Sequence, residues 1–179
     1  SHPLINICSL VGQGTLHYTR LGLGSKVPTQ GQIHSLCNEL DELLCQGAAG
    51  LSLGLIYLPG LTSTKSELRQ LAGVVAAHDK ILAVHLRDEG RRLIDSMEEI
   101  LSLAEEKGVH VHLSHHKVMG TKYWGKSEES LIRILKALES GLPVSLDAYP
   151  YAAGCSTAMV LLPPWLLAGE THDTLELLR

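Results

Sequence analysis

ILAVHLRDEG (81–90) and HVHLSHHKVMG (110–120) begin 29 residues apart and share one design. Each opens as a short apolar run of strand length. Each then turns abruptly polar, through His85-Leu86-Arg87-Asp88-Glu89 in the first and Ser114-His115-His116-Lys117 in the second. A nearly continuous Val/Ile/Leu run is what a parallel strand covered on both faces needs. Polar groups gathered where such strands end mark the site-bearing edge of a barrel or an open α/β sheet.

The same design recurs outward along the chain. Leu4–Val11, Gly50–Tyr57, Ile81–Arg87, His110–Lys117 and Val144–Tyr151 read as five strands. Four amphipathic segments follow them. The first carries Ile33, Leu36, Leu40 and Leu44 and stops at Gly47. The second opens with Thr64 and Glu67 at capping-box spacing. The third runs from Leu93 to Lys107-Gly108, and the fourth from Ser127 to Gly141; a fifth begins near Thr171. One strand and one helix per 29 to 34 residues is the length of a βα unit. Five parallel strands fit either a doubly wound sheet or part of a (β/α)8 barrel. Gly12-Gln13-Gly14 lacks the next glycine of a dinucleotide fingerprint, because His17 stands there, and Gly24-Ser25-Lys26 lacks P-loop spacing.

Alternation separates the polar strand ends. If the fourth strand runs on to Lys117, then Val111, Leu113, His115 and Lys117 share one face, and His110, His112, Ser114 and His116 the other. That places His115 and Lys117 together in a barrel mouth and sends His116 toward the helices. In the third strand, His85 shares a face with Ile81, Ala83 and Arg87. Two imidazoles on neighbouring strand ends suit half of a zinc site. Each has a plainer reading. A strand-end histidine is more often a hydrogen-bonded structural residue than a ligand. Tyr57, Tyr149 and Tyr151 are more often packing residues, Lys117 a solvated cation, and Asp147 a loop holder. His17, His34, His78 and His172 read as surface or loop residues, and Trp124 and Trp165 as loop anchors.

Composition narrows the classes. The chain has 179 residues, 45% hydrophobic and 19% charged, with a net charge of -4, and is globular in type. No Lys/Arg-rich run suggests nucleic acid or an anionic membrane as partner, and no stretch approaches a transmembrane span. Cys8, Cys37, Cys45 and Cys155 form no zinc knuckle or redox pair. Cys37 and Cys45 would lie about 12 Å apart along a helix, too far for a disulfide. Buried, reduced thiols in a cytoplasmic protein are the expectation.

Five stretches in the same order resemble the N-acyl-D-amino-acid deacylases, the D-aminoacylase branch of the amidohydrolase superfamily. They are LVGQGTLH (10–17), GAAGLSLGLIYLPG (47–60), HLRDEG (85–90), LSHHKVMGTKYWGKS (113–127) and DAYPYAAGCSTAMVLLPPW (147–165). The resemblance implies a (β/α)8 barrel with zinc at its mouth, hydrolysing N-acyl-D-amino acids to a D-amino acid and a carboxylate. By position it implies His85 and His115 as metal ligands, with Tyr57, Lys117 and Tyr149 holding the substrate carboxylate; Tyr151 is the weaker candidate for the last role. The family's first-strand HxH motif, its cysteine ligand and its late proton-transfer Asp have no counterpart here. Gln13 and His116 are smaller departures.

Residues 1–179 are therefore expected to be the central part of the barrel domain, without its first strands, last strand and small β domain. Alone, the chain is expected to be inactive, to bind zinc weakly or not at all, and to self-associate through open sheet edges. Two rivals remain. One is a hydantoinase- or dihydroorotase-like enzyme, against which stands the lack of a suitable lysine before HLRDEG. The other is a non-catalytic binding protein derived from the barrel.

Overall fold

The computed structural model describes residues 4–22 and 27–162. Five strands, β1 (Val11–Gly12), β2 (Gly50–Gly54), β3 (Ile81–His85), β4 (His110–Leu113) and β5 (Val144–Leu146), form one parallel sheet in the order β1-β2-β3-β4-β5. Five helices accompany them: α1 (Gln13–Leu21), α2 (Gln30–Cys45), α3 (Lys65–Ala77), α4 (Leu93–Lys107) and α5 (Lys126–Glu139).

Sequential order decides between the two architectures open to the sequence. A doubly wound sheet reverses its strand order and takes helices on both faces. Right-handed crossovers between strands in unbroken order put every helix on one face, which is barrel geometry. Burial agrees. Leu51, Leu53, Leu82, Val84, Val111 and Leu113 are all buried against the helices. The alternate residues Ser52, His85, His112 and Ser145 are only half-buried, and His110 is exposed.

The helix layer is built from the stripes seen in the sequence. Ile33, Leu36, Leu40 and Leu44 of α2 are buried, as are Leu68, Leu71, Ala72 and Val75 of α3, and Leu93, Met97, Ile100 and Ala104 of α4. Thr29 and Gln32 cap α2 reciprocally. Gly108 ends α4 in the left-handed conformation, φ 66°. On α5 only Ile134 and Ala137 of the apolar stripe are covered. Leu131, Ile132, Leu135 and Leu138 are exposed, with nothing among the described residues packed over them.

Several expectations change. The strand expected over Leu4–Val11 shrinks to Val11–Gly12, and Leu4, Ile5 and Ile7 are exposed. Its register explains this. Val11 pairs with Leu51, so residues 4–8 would face the end of α2, where no ladder exists. The last link is Ala49 N–H to Ser9 O, 2.8 Å. The later strands also stop short of their expected ends, at Gly54, His85, Leu113 and Leu146, where the chain turns out of the ladder into the loops that carry the polar residues. Thr64 caps α3 by accepting from Glu67 N–H, but the Glu67 side chain does not return to complete the box.

The cysteines are unpaired, but not buried as expected: Cys8, Cys45 and Cys155 are exposed and Cys37 is half-buried. Helix ends and surface loops put them there. Trp124 is 72% exposed and anchors nothing. His34 is exposed, as read. His17 is not a surface residue. It lies on α1, a short helix with few apolar residues, and is buried. Residues 24–26, Trp165, the helix expected near Thr171 and His172 lie outside the described residues.

Candidate metal centre

The carboxyl ends of β2, β3, β4 and β5 bring the singled-out residues into one arc. The rings of Tyr57 and His85 meet edge-on with centroids 5.2 Å apart, and those of His85 and His115 at 4.4 Å. Lys117 Nζ lies 3.1 Å from His115 Nδ1 and 5.6 Å from the centre of the Tyr149 ring. Tyr151 is farther out and more exposed, its ring 6.4 Å from that of Tyr149. All five candidates, Tyr57, His85, His115, Lys117 and Tyr149, are thus neighbours.

His115 reaches this position by a route the alternation did not foresee. Val111 and Leu113 face the helices, so strict alternation would send His115 there too. The ladder ends at Leu113, and His115 takes a left-handed backbone, φ 42°. That turn reverses the alternation and delivers its ring to His85. His116 goes behind the sheet, where its Nε2 meets Ser130 Oγ of α5 at 2.9 Å. Burial, and then the Lys117 charge, holds the His116 imidazole below its usual pKa.

Sequence reading passed over Glu89. It is 4% exposed and stands between the histidines. Its Oε1 accepts from Lys117 Nζ at 2.6 Å and lies 3.3 Å from His115 Nδ1; its Oε2 lies 3.7 Å from His85 Nε2. The signal in the sequence is an acid in HLRDEG four residues after a strand-end histidine, where a buried carboxylate needs a cationic partner.

Two atoms here, His85 Nε2 and Glu89 Oε2, are buried with no hydrogen-bond partner among the described residues. Such groups are expensive to bury unpaired. The ligand atoms of His85, Glu89 and His115 lie within 4.8 Å of one another. Burial, then the charges of His115 and Lys117, push His85 down to about 4, so its imidazole is neutral at physiological pH. Neutral imidazoles and a carboxylate are the donor set for a divalent transition ion. The orphaned atoms fit one.

The surrounding residues hold this arc in place. Arg87 grips both Glu99 oxygens, at 3.0 and 3.1 Å, and donates to the carbonyls of Gly60, Leu61 and Ser63. It thereby ties the loop carrying Tyr57 to α4, and has no reach left for a ligand. Gly60 is required there, since a Cβ would sit 2.4 Å from Gly54 O. From the other side, Gln13 Nε2 donates to Ser63 Oγ (2.6 Å) and Glu67 Oε1 (2.7 Å), and His17 Nε2 meets the same Glu67 oxygen at 2.6 Å. Burial alone would raise the Glu67 pKa; bonds from His17, Gln13 and Ser63 outweigh it and hold the carboxyl below its ordinary value. On the bare face of the sheet, His112 Nε2 meets Asp147 Oδ2 at 2.9 Å and His112 Nδ1 meets Ser145 Oγ at 2.9 Å. The bond from His112, followed by one from the His115 amide, lowers the Asp147 pKa.

A second cluster, Asp41, Cys45 and His78, sits at the opposite helix ends. It is largely solvated, and His78 Nε2 already meets Asp41 Oδ1 at 2.7 Å.

No family model matches the chain. An L-hydantoinase from Arthrobacter aurescens superposes with a TM-score of 0.52 at 14% identity, over 78% of this chain and 37% of its own, and shows the fold alone. An N-acyl-D-glutamate deacylase from Bordetella bronchiseptica, complexed with zinc and a phosphonate mimic of the tetrahedral intermediate, superposes with a TM-score of 0.81 at 35% identity, over 84% of this chain and 32% of its own. The fold is therefore a segment of an amidohydrolase (β/α)8 barrel. A D-aminoacylase from Alcaligenes xylosoxydans xylosoxydans is 35% identical over 170 residues, 95% of this chain and 34% of that protein. The chain is thus homologous to the N-acyl-D-amino-acid deacylases, and spans about a third of the length of the relatives it matches. Among the described residues no helix is long and apolar enough to cross a membrane.

Proposed function

We propose that this chain is the central part of a zinc-dependent barrel enzyme that hydrolyses N-acyl-D-amino acids to a D-amino acid and a carboxylate. The observation that carries it is the strand-end cluster of two imidazoles and a buried carboxylate, with an unpartnered nitrogen and oxygen, on a chain homologous to deacylases. His85 and His115 are the metal ligands, and Glu89 lies close enough to join or brace them. Zinc held there supplies Lewis-acid activation of a scissile carbonyl and a bound water acidified to about 7.

The chain's own residues orient the substrate. Lys117 Nζ, facing both the metal cluster and the Tyr149 ring, grips the substrate carboxylate, with Tyr57 and Tyr149 at its sides. Fixing the carboxylate and the acyl carbon leaves the direction of the side chain as the third contact, and the three together select one hand at the α-carbon. Lys117 exchanges its bond to Glu89 for one to the substrate. No residue of this chain answers to the family's proton-transfer Asp, which we place outside it. Residues 1–179 would then be completed by further strands on either side of the sheet and by a small β domain.

Two further assignments belong to this reading. Free Cys8, Cys37, Cys45 and Cys155 favour a reducing, cytoplasmic setting. The open edges at β1 and β5 and the uncovered face of α5 favour self-association of the isolated chain, checked by analytical ultracentrifugation, where a clean monomer counts against it.

The test is hydrolysis of N-acetyl-D-methionine. The longest reading frame containing these residues should hydrolyse it with zinc, and lose the activity on His85→Ala or His115→Ala. The 179-residue chain alone should not turn it over. A zinc-loaded long product that hydrolyses no N-acyl-D-amino acid overturns the reading in favour of a barrel-derived binding protein.

A further inference from the structure

We infer that Asp147 is the positioning residue that holds His115 in the mouth, acting through the His115 backbone. The inference rests on the metal reading for its consequence, though not for its geometry. His115 sits at φ 42°, a conformation that a residue with a Cβ adopts only when its surroundings impose it. Lys117 Nζ bonds the His115 carbonyl at 3.1 Å, and the rest of the turn is held by the residue that follows the neighbouring strand, Asp147. Register pairs Leu113 with Leu146, which sets Asp147 beside the turn.

Asp147 then makes three bonds to the four residues that form the turn. Its N–H donates to Leu113 O at 3.2 Å, its carbonyl accepts from His116 N–H at 2.7 Å, and its Oδ1 accepts the His115 N–H. The bonds bracket His115 on both sides and hold it at the centre. Without them the chain could continue the β alternation, and the ring would turn toward the helices, where Val111 and Leu113 already fill the space.

The carboxylate is itself aimed. Its Oδ2 accepts from His112 Nε2, and His112 Nδ1 accepts from Ser145 Oγ–H. Both oxygens are engaged, so the carboxylate cannot rotate away without breaking a bond on each side. Asp147 also lies outside the cluster of His85, Glu89 and His115, so it steers a ligand rather than serving as one. DAYPY thus acts on the metal centre through its first residue, and on the substrate through its third.

Amide hydrogen exchange on the 179-residue chain tests this directly. Asp147→Ala should speed exchange of the His115 amide at least tenfold, and leave the amides of β2 and β3 unchanged. Asp147→Asn keeps an acceptor for that N–H and should restore most of the protection. Equal His115 protection in wild type and Asp147→Ala overturns the inference. So does a loss spread evenly over the sheet, which would mean a general structural role. Co2+ absorption of the longest reading frame containing these residues separates this from the metal reading. Asp147→Ala should weaken Co2+ binding about tenfold, and His85→Ala should abolish it. If wild type and His85→Ala take up Co2+ alike, the metal reading fails, and the exchange data still decide the role of Asp147.

Discussion

The two faces of the sheet are made of the same strands and obey different rules. The helix-facing side, Leu51, Leu53, Leu82, Val84, Val111 and Leu113, is wholly buried and wholly aliphatic. The other side, Ser52, Ala83, His85, His110, His112 and Ser145, is small or polar apart from Ile81, which is only half-buried. The first face holds the fold together by area removed from water. Stability and function are therefore divided between the buried face and the carboxyl ends of the strands, where Tyr57, His85, Glu89, His115, Lys117 and Tyr149 lie.

Substitutions of matched size can break that division. Leu82→Ala, on the buried face, should cost about 2–5 kcal/mol in urea unfolding. Loss of less than about 1 kcal/mol would show that the helices contribute little. Glu67→Gln, in the buried cluster behind the sheet, should cost about 1–3 kcal/mol at neutral pH. Its sign with pH follows from the lowered carboxyl. The stability it contributes is fully present above the ordinary value of 4.5, and is lost as pH falls through the lower folded value. The gap between wild type and variant should therefore narrow on acidification, and a gap that widens would place the charge elsewhere. Ser52→Ala, on the bare face, should stay within about 0.5 kcal/mol of wild type. Its hydroxyl makes only a long bond of 3.4 Å to Val11 O.

The same division explains what the sequence discloses. The buried face is legible because hydrophobic period and strand spacing both report burial. Sequential strand order is not encoded in any one motif, and it took the ladder to exclude a doubly wound sheet. At the strand ends, legibility falls off. The ring of His115, and not that of His116, does lie in the mouth, but alternation reaches it only by assuming that the strand runs on to Lys117 and that Val111 and Leu113 face the mouth with it, whereas both face the helices. The actual cause is a single left-handed residue, fixed by a neighbour 32 positions away. Glu89 belongs to no periodic element, and His17 to a helix with few apolar residues, so burial of either could be known only from its tertiary partners.

The bare face also has a shape. On β2 it presents Ser52 and Gly54; on β3 it presents Ile81, Ala83 and His85, and on β4 His110 and His112. Barrel interiors are filled to crystalline density. One side of the cylinder is thus hollowed and the other raised, so strands that close it must bring bulk opposite the first and small residues opposite the second. The sheet is in this sense a mould, and it limits which sequences can complete it before any question of catalysis arises.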